Sequence, residues 1–532
     1  MKTVSKQQRA KPCDVVLVGY EEDENIGLRS IAAYLQTNGA AVNVLGYQPG
    51  LKENLTEAIK ALNPVIVGFS LIFQRMLTDF ADLISYLRQE GVSAHFTMGG
   101  HFPTLAYNTT LELMPGLDSV IRHEGEITLL NLLRSIHDPG SWDKIDGLVY
   151  REKGNGKLNV NAPRHLIKDL DSLPFPLRRT DAPAYRGIGM RSLIASRGCY
   201  YNCSFCSVQE FYRGAPGCNR RTRSPGHVAD EMELLFKEQG TRVFIFKDDD
   251  LATGSNENRE WIQAFIQELK RRKLGDEILW RISCRVDQVD ADIIRQLKDV
   301  GLLCIYLGIE SGNQQGLDTF KKHYRVKKIF HALDILEQAQ VNFEYGFMMF
   351  DPDSTFASIQ ENLAFLETLA KHDLVAINFT KMFPYVGTSI VARLEKEGRL
   401  RGTTSTPDYV YDDKRLELLE LFFTRTFSHR NFDAGGLANL IQLAKFDLFI
   451  LTRFFPDRYD LDAYKTKLLA YINRCNDSIL ETMSTALRFM EALSYHDIVA
   501  NWGFLGNLSQ QEMHLQYGLE TALKQLIREY EA

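Results

Sequence analysis

The sequence predicts an α/β protein in three parts: a doubly wound parallel sheet, a partial barrel of parallel strand–helix units and a helical C-terminal region. Short apolar strands alternate with amphipathic helical stretches from residue 12 to 137, a pattern typical of a doubly wound sheet. Six more strand–helix units lie between 190 and 388, and successive parallel units favour a partial barrel. Residues 389–532 are apolar and helix-patterned, so we expect no strands there.

The first part contains five strand patterns separated by helical patterns, one of which runs from Gln74 to Glu90. The strand patterns are DVVLVG (14–19), AVNVLGY (41–47), VIVGFS (65–70), HFTMGG (95–100) and SVIRH (119–123). Doubly wound sheets bind ligands in the crevice beyond the carboxyl ends of their strands. The glycines of this part lie there: Gly19, Gly27, Gly68, Gly99 and Gly100.

A connector follows from 138 to 189. GLVYREKGNGKLNV (147–160) predicts a hairpin with a Gly-Asn-Gly turn. The stretch DSLPFPLRRTDAPAY (171–185) is rich in proline, which interrupts regular structure, so we expect a linker there.

The predicted barrel has one strand pattern in each of its six units. They are SLIAS (192–196), RVFIFKD (242–248), LWRISCR (279–285), LCIYLGIES (303–311), NFEYGFMMF (342–350) and LVAINFTKMF (374–383). After the barrel, LANLIQLAKFDLFILTRFF is the most hydrophobic segment of the helical region.

The composition indicates a soluble globular protein, with 45% hydrophobic and 24% charged residues. A net charge of −6 gives no reason to expect a nucleic acid partner. The N-terminus lacks the features of a signal peptide and no uninterrupted apolar run reaches about 18 residues, so we expect a cytoplasmic protein. Five of the eight cysteines are scattered, whereas three fall within eight residues. Clustered thiols in a reducing compartment indicate metal binding or catalysis.

The three clustered cysteines, Cys199, Cys203 and Cys206, follow the first barrel strand in SRGCYYNCSFCSV. Three residues of chain reach at most roughly 10 Å, so all three sulfurs can face one compact cluster. Three thiolates would bind three irons of a cube and leave the fourth iron open. A structural zinc site would need four ligands, usually as two pairs, and Cys218 stands alone. Buried structural cysteines would not normally crowd into a turn.

The motif CYYNCSFC and the six units resemble the radical S-adenosylmethionine (SAM) superfamily. The resemblance implies a [4Fe–4S] cluster whose open iron binds SAM, and cleavage of SAM to a 5′-deoxyadenosyl radical. It also implies that the protein orients the cofactor and excludes water. By their place in the motif or at the carboxyl ends of strands, the SAM-binding candidates are Phe205, Asp248, Asp249, Asp250, Arg285, Glu310 and Gly346. The alternative for each charged candidate is that it lies at a solvent-exposed loop end and binds nothing.

The first part resembles the Rossmann-like cobalamin-binding domain that precedes many radical SAM barrels. GGHFPT (99–104), RHEGE (122–126) and DSLPFP carry this resemblance, which covers roughly residues 12–385. The resemblance gives these candidate cobalamin-binding residues: Gly19, Tyr20, Gly27, Ser70, Gly99, Gly100, His101, Pro103, Thr104, Glu124, Gly125 and Glu126. A different ligand, or loss of the cofactor, is the alternative.

One departure from the resemblance concerns the lower face of the corrin. Domains that ligate cobalt carry an Asp-x-His-x-x-Gly pattern, and alignment on Gly27 places Glu22 and Glu24 where the aspartate and histidine would be. No imidazole from this loop would then reach cobalt, which suits a corrinoid that is reduced and remethylated. For His101 and His123 we expect hydrogen bonds to corrin side chains, or places in loops.

The resemblance implies methylation of an unactivated carbon through the 5′-deoxyadenosyl radical and methylcobalamin. A cyclase or rearrangement enzyme without methyl transfer is the alternative, and a non-catalytic cobalamin sensor is a third possibility that would not need reactive iron. A tRNA methylthiotransferase would carry three more cysteines in its N-terminal domain, where this chain has only Cys13.

The expected partners are a small-molecule or carrier-bound substrate and an electron donor such as flavodoxin or ferredoxin. Aromatic residues of the C-terminal helices suggest an apolar substrate or peripheral membrane association, although a helix core explains them more simply. These aromatic residues are Phe422, Phe423, Phe427, Phe449, Phe454 and Phe455.

Overall fold

The computed structural model describes residues 13–21, 24–152, 156–181, 183–251 and 256–531. The chain divides into two compact units. The first contains residues 1–251, 384–393 and 402–407, and the second contains 252–383, 394–401 and 408–532.

The first unit contains a seven-stranded sheet in the order β2-β1-β3-β4-β5-β6-β7. The strands are β1 Val15–Gly19, β2 Val42–Gly46, β3 Ile66–Ser70, β4 His95–Gly99, β5 Ser119–Ile121, β6 Leu148–Arg151 and β7 Leu158–Val160. Strands β1 to β5 pair in parallel, whereas β6 pairs antiparallel with β5 and β7. The predicted doubly wound sheet and hairpin are confirmed. The Gly-Asn-Gly turn of the hairpin lies partly outside the described residues.

Helices cover both faces of this sheet. They are α1 Ile26–Thr37, α2 Lys52–Leu62, α3 Leu77–Gln89, α4 His101–Leu105, α5 Tyr107–Leu113 and α6 Glu126–Arg134. Alternate residues of β1 belong to different cores: Val16 and Val18 to one, and Val15 and Leu17 to the other. Because both faces are buried, the strand is continuously apolar rather than alternating. Strand order reverses at β1, where doubly wound sheets bind ligands at their carboxyl edge.

The first unit also contains the beginning of the barrel. Its strands are β8 Ala184–Tyr185, β9 Ile188–Leu193, β10 Ser196–Arg197, β11 Arg221–Thr222 and β12 Thr241–Phe246, with helices α7 Ser207–Arg213 and α8 Pro225–Gln239. Strand β9 pairs in parallel with β12, and β10 pairs antiparallel with β11. The expectation of a linker without regular structure was wrong at its end, because the two residues of β8 pair antiparallel with β9.

The second unit contains the remaining barrel strands: β13 Leu279–Cys284, β14 Leu302–Glu310, β15 Asn342–Phe350 and β16 Thr380–Lys381. Its barrel helices are α9 Asn256–Arg271, α10 Ala291–Lys298, α11 Gln314–Thr319, α12 Val326–Gln338 and α13 Phe356–Leu369. Within this unit the strand order is β16-β15-β14-β13. The four strands of this unit pair in parallel, as predicted.

The sixth barrel strand is shorter than predicted, because β16 has two residues where ten were expected. Side chains hydrogen-bond the backbone ahead of it. Asn476 accepts from the Ile377 amide at 2.8 Å and donates to the Val375 carbonyl at 2.8 Å. The Tyr345 hydroxyl donates to the Ala376 carbonyl at 3.1 Å. Because side chains already form hydrogen bonds with these backbone groups, residues 375–377 do not require hydrogen bonds to a neighbouring strand.

The C-terminal part is mainly helical, as predicted. Its helices are α14 Ser389–Lys396, α15 Arg415–Phe432, α16 Leu437–Phe454, α17 Leu461–Glu491, α18 Tyr495–Ala500 and α19 Trp502–Glu529. The expectation that this part has no strands was wrong, because β17 Leu400–Gly402 and β18 Pro407–Tyr409 form a two-stranded sheet.

Phe422, Phe423 and Phe427 of α15 are buried, whereas Phe432 at its end is exposed. Phe423 packs edge-on against Phe350 and Phe379. In the described part of the chain, one helical stretch, Arg415–Phe454, is long and apolar enough to span a membrane. Its most apolar window has a mean hydropathy of 1.3, and 61% of that window is buried. A core helix of a soluble protein passes the same test, and the packing of Phe423 fits that interpretation.

Candidate functional site

The cysteine loop begins at a glycine that no other residue could replace without strain. Gly198 has φ +83°, and a Cβ there would overlap the carbonyl oxygen of Asn219. The chain then turns so that the Cys206 amide donates to the Cys203 carbonyl at 3.2 Å. Cys206 is the N-cap residue of α7. The loop is therefore fixed at both ends, by a tight turn and by a helix.

The three thiols lie close enough to interact electrostatically, since Cys206 is influenced by both Cys199 and Cys203. Burial raises the pKa of Cys199 and of Cys206 to about 12. Both thiols are therefore neutral near pH 7, and binding of iron must displace their protons. Cys218 does not join them: its side chain is exposed and its thiol donates to the Arg220 carbonyl at 3.0 Å.

This set of donors fits a cube rather than a single ion. Within the described ranges, no group of three His, Cys, Asp or Glu side chains is placed to hold one metal ion. Ligands of one zinc ion converge to about 2.3 Å from it, whereas thiolates on three irons of a cube stand farther apart. Three soft sulfur donors on one loop are the ligands that iron–sulfur clusters use.

The predicted aspartates after β12 have different surroundings. Asp248 is buried and accepts hydrogen bonds from the Ala195 amide, at 3.1 Å, and from the Ser196 hydroxyl. Burial raises the pKa of Asp248, and these two donors oppose the rise. Asp250 is also buried, and its carbonyl accepts from Arg220 at 2.7 Å. Asp249 is exposed. Asp248 therefore fixes the chain leading into the cysteine loop, and the Asp249 carboxylate accepts a hydrogen bond from the Gly198 backbone at the start of that loop.

The other predicted SAM-binding residues stay predictions. Phe205 is half-buried in the cysteine loop. In the second unit, Arg285 pairs with Asp287 at 2.9 Å and donates to the Lys322 carbonyl at 2.6 Å. Glu310 has φ +66° and lies 3.5 Å from the Lys322 amine.

Glu310, the last residue of β14, lies beside Gly346 in the middle of β15. A Cβ at Gly346 would stand 2.5 Å from the Tyr306 hydroxyl and 3.3 Å from Oε2 of Glu310. The strand needs glycine here, because any side chain would displace the tyrosine.

The carboxyl edge of the first sheet has few side chains. Gly19 and Ser70 end adjacent strands, and a Cβ at Gly19 would lie 3.5 Å from the Cβ of Ser70. Ser70 is in turn in register with Gly99. Gly100 has φ +116°, and a Cβ there would overlap the Leu71 carbonyl. Such an edge fits a large flat cofactor.

Two more predicted cobalamin residues lie beside this edge. The Tyr20 hydroxyl donates to Asp79 at 2.9 Å, and its ring packs against Tyr47 and Phe80. Gly27 lies in the first turn of α1. Both stay predictions as cobalamin contacts.

The predicted residues His101 and His123 face helix α7, which follows the cysteine loop. The His101 ring stacks on Phe211 with centroids 4.5 Å apart, and Nδ1 of His123 lies 2.6 Å from the Phe211 carbonyl oxygen. Burial lowers the pKa of His101 to about 4. Thr104 accepts from the His123 amide at 2.9 Å, and Pro103 lies within α4. These residues connect the loop after β4 to the helix that begins at Cys206.

The predicted residues Glu124 and Glu126 form ion pairs with arginines near the cysteine loop. Arg197 lies 3.0 Å from Glu124 and 2.6 Å from Glu126, and Arg221 lies 3.0 Å from Glu124. Burial alone would raise the pKa of Glu124, but the charge of Arg197 and the hydrogen bond from Arg221 outweigh it and lower that pKa. Gly125 between them packs against Ile31, 3.0 Å from where its Cβ would lie.

Glu24 takes part in a second set of buried ion pairs. Arg191 lies 2.5 Å from one of its carboxylate oxygens and Arg178 lies 2.9 Å from the other. Glu22 lies outside the described residues. We use "junction network" for the buried carboxylates and arginines of the first unit: Glu24, Glu124, Glu126, Glu231, Arg178, Arg191, Arg197, Arg221 and Arg223.

The sequence analysis missed the arginines of the junction network. Arg178 lies in the proline-rich linker, and Arg197 lies next to the turn of the cysteine loop. Except for Arg223 and Glu231, which are 8 residues apart, the paired residues are at least 53 positions apart in sequence, so no local pattern identifies the pairs. The sequence did offer one indication for Arg191, because it is the one charged residue of the barrel strand β9.

Two models of known protein families match this chain, one over the first sheet and one over the barrel. Residues 7–133 match the family model of the B12 binding domain, and residues 193–366 match that of the radical SAM superfamily. The predicted cysteine loop lies inside the second match.

Relatives of known sequence include methyltransferases and cyclases. An uncharacterized methyltransferase of Pyrococcus horikoshii, PH0819, is 28% identical over 64% of this chain and 72% of its own. The anaerobic magnesium-protoporphyrin IX monomethyl ester cyclase of Cereibacter sphaeroides is 28% identical over 58% of this chain, and the match spans half the length of that cyclase. The cytidylyl-2-hydroxyethylphosphonate methyltransferase of Streptomyces wedmorensis is 24% identical over 76% of this chain and 86% of its own.

Among solved structures, the cobalamin-dependent SAM radical enzyme OxsB, with aqua-cobalamin and SAM bound, shares the fold. It superposes with a TM-score of 0.68 at 17% identity, covering 98% of this chain and 80% of that one. A partial barrel that carries three thiols on the loop after its first full strand defines a radical enzyme. With the B12 binding domain ahead of that barrel, the chain belongs to the cobalamin-dependent radical SAM enzymes. Its domains imply a [4Fe–4S] cluster, SAM and cobalamin as cofactors.

Proposed function

We propose that the protein is a methyltransferase that adds a methyl group to an unactivated carbon of a small-molecule or carrier-bound substrate. The observation that carries the proposal is the environment of Glu24, which stands where cobalt-ligating domains have histidine. Its carboxylate is held in buried pairs with Arg178 and Arg191. No imidazole is supplied from that position, which suits a corrinoid that accepts and gives up methyl groups. The names of two relatives, both methyltransferases, support the same function.

The chain's own residues bind and orient the cofactors. Cys199, Cys203 and Cys206 would hold the cluster, with Phe205 and Asp249 beside SAM, and the edge from Gly19 to Gly100 would receive cobalamin. When bound, the cluster and SAM supply the radical that removes a hydrogen atom, and the corrinoid supplies the methyl group. Asp248 keeps the cysteine loop in place through Ala195 and Ser196. No nucleophile from the protein is required.

The proposal includes the division of the chain and its surroundings. We assign residues 12–137 to cobalamin binding, 138–189 to a linker with a hairpin, 190–388 to the radical SAM barrel and 389–532 to a helical domain. The protein would work in the cytoplasm with flavodoxin or ferredoxin as electron donor and without nucleic acid. Peripheral membrane association is not favoured, because the aromatic side chains Phe422, Phe423 and Phe427 are buried.

A cyclase or rearrangement enzyme without methyl transfer is the second candidate. It is favoured by one observation, the similarity to the magnesium-protoporphyrin cyclase. The two candidates differ in what becomes of SAM: radical cleavage releases methionine and 5′-deoxyadenosine in both, whereas S-adenosylhomocysteine is released only when a second SAM donates its methyl group.

The test uses enzyme reconstituted anaerobically with iron, sulfide and hydroxocobalamin, and then reduced in the presence of SAM without substrate. A methyltransferase should release about one S-adenosylhomocysteine per bound cobalamin in a single burst. A Cys218→Ala variant, which changes a thiol outside the cluster set, should give the same burst. Full iron and cobalt content without any S-adenosylhomocysteine would reject methyl transfer in favour of the cyclase.

A further inference from the structure

One face of the barrel strands in the second unit carries polar side chains. The Phe347 ring stacks on Phe365 of α13 with centroids 5.8 Å apart, so that face of β15 meets the helices. Neighbouring positions of a strand point to opposite faces, which places Glu344 and Gly346 on the face away from α13. Tyr306 of β14 is in register with Glu344 and shares this face.

The adjacent strands bring further polar residues to the same face. Cys304, two residues before Tyr306, shares its face, and Arg281 of β13 is in register with Cys304. Nη2 of Arg281 lies 2.8 Å from Oε2 of Glu344, and its guanidinium carbon stands 5.5 Å from the centre of the Tyr306 ring. These residues lie towards the amino ends of their strands, and together with Lys445 of α16 we call them the barrel floor.

A ligand can reach the Arg281–Glu344 pair, and the pair leaves one nitrogen of the guanidinium without a hydrogen bond to any described residue. The two side chains are 32% and 26% exposed. Nε of Arg281 is nevertheless buried, and it has no hydrogen-bond partner among the residues that the structure describes. A buried donor left without an acceptor destabilises the protein, so an acceptor from outside the chain would be stabilising here.

Lys445 is the second cation of the barrel floor and has no fixed partner. The residue is 8% exposed and lies in the middle of the most apolar helix of the chain. Its amine interacts electrostatically with Cys304 and Glu344, but no hydrogen bond or ion pair joins it to any described residue. Burial lowers the pKa of Lys445, and the two neighbours oppose this. The stem of Lys445 is buried, whereas its amine nitrogen is not fully buried, so the charged end stays accessible to a ligand.

The two cations of the barrel floor share a single carboxylate. Arg281 is always charged, and a protonated Lys445 adds a second positive charge. Both side chains act on the Cys304 thiol together with Glu344. One positive charge is therefore in excess, and donors remain on both cations. This is the complement of an anionic group with several acceptor oxygens.

We propose that the barrel floor binds the anionic group, a phosphate or carboxylate, of the enzyme's substrate. The inference rests on the proposed function, and it names the substrate class: a small polar molecule with an anionic oxygen group, rather than an apolar lipid. Lys445 and Arg281 bind the anion, and Glu344 holds the guanidinium in position beside Tyr306.

The test measures binding of inorganic phosphate and of acetate to the reconstituted holoenzyme by isothermal titration calorimetry at constant ionic strength. Wild-type enzyme should bind one of these probes saturably at one site per chain. Lys445→Met keeps the length of the side chain, removes the charge and should weaken binding by at least about tenfold, the effect of one charge-assisted hydrogen bond. Lys445→Arg should stay within a few-fold of wild type.

Lys524→Met is the matched control, because it removes an exposed lysine from another C-terminal helix, α19. This control should bind the probe like wild type. Absence of saturable binding of both probes to wild type overturns the proposal, and so does equal affinity in Lys445→Met. Iron, cobalt and the S-adenosylhomocysteine burst are measured on the same preparations. Normal values without anion binding reject the anion subsite alone, whereas anion binding without the burst rejects methyl transfer alone.

Discussion

The junction network and the barrel floor both bury charged groups, but only the first supplies a carboxylate for every cation. Glu24 is shared by Arg178 and Arg191, and Glu231 by Arg178 and Arg223. In the barrel floor, Lys445 has no such partner within the described chain. The difference teaches that buried charge has two uses in this enzyme. In the junction network every arginine lies beside a carboxylate, and these pairs hold the cysteine loop in one arrangement. In the barrel floor Lys445 has no ion pair with a described residue, which leaves a position for a ligand.

The largest effect should follow from removing the thiols that the junction network holds in place. In a variant with Cys199→Ala, Cys203→Ala and Cys206→Ala, iron should fall from about four atoms per chain to none after anaerobic reconstitution, because no sulfur donor remains on the loop. Cobalt should stay near one per chain, because the edge of the first sheet is unchanged. Elemental analysis of both proteins checks this, and equal iron in the two would overturn the assignment of the cluster.

The next effect in size concerns the junction network itself. Glu24→Gln should lower the free energy of unfolding by about 3–5 kcal/mol, because it leaves the buried Arg191 without a carboxylate and Arg178 with Glu231 alone. The side chain of Glu24 is 2% exposed. Urea denaturation followed by fluorescence measures the change.

The matched control for Glu24 is Asp181→Asn, which removes the partner of Arg179. The Asp181 side chain is 71% exposed, so its loss should leave stability nearly unchanged. Equal changes in the two variants would mean that burial does not distinguish these pairs.

A third effect depends on pH and comes from His101. Its folded-state pKa of about 4 lies below the usual 6.5, so the unfolded chain takes up the proton first. Stability is therefore fully present above about pH 6.5 and falls as the pH drops towards 4, by at most about 3 kcal/mol. His101→Phe keeps a ring against Phe211 and should flatten the Tm profile between pH 7 and pH 4.5. Parallel profiles for the two proteins would show that His101 contributes nothing to the acid sensitivity.

The smallest effect should come from the barrel floor. Glu344→Gln should lower stability by less than about 1 kcal/mol, because both members of its pair with Arg281 are partly exposed. Urea denaturation under the conditions used for Glu24→Gln checks the ranking. A loss as large as that of Glu24→Gln would contradict the distinction between the two regions.

The fold could be predicted from sequence, and the three cysteines proposed for the cluster could be identified, because both signals are local. Strand β15 begins and ends at the predicted residues 342–350, and the spacing of Cys199, Cys203 and Cys206 is a property of eight residues. The interaction of Glu124 with Arg197 could not be predicted, because it joins residues 73 positions apart. The barrel floor left only faint signals: polar residues Arg281 and Glu344 on otherwise apolar strands, and one lysine within an apolar helix.

The shortened sixth barrel strand has a consequence for how the protein behaves in concentrated solution. An outer strand with unused backbone groups is a template for pairing with another molecule. Here the Ile377 amide and the carbonyls of Val375 and Ala376 are already bonded to Asn476 and Tyr345, and Arg430 donates to the Ile377 carbonyl. Arg430 comes from α15 and Asn476 from α17. These C-terminal helices therefore occupy backbone groups that could otherwise pair with another molecule and start aggregation. A chain truncated before α15 would expose the backbone groups of Val375 and Ile377 that these side chains bind.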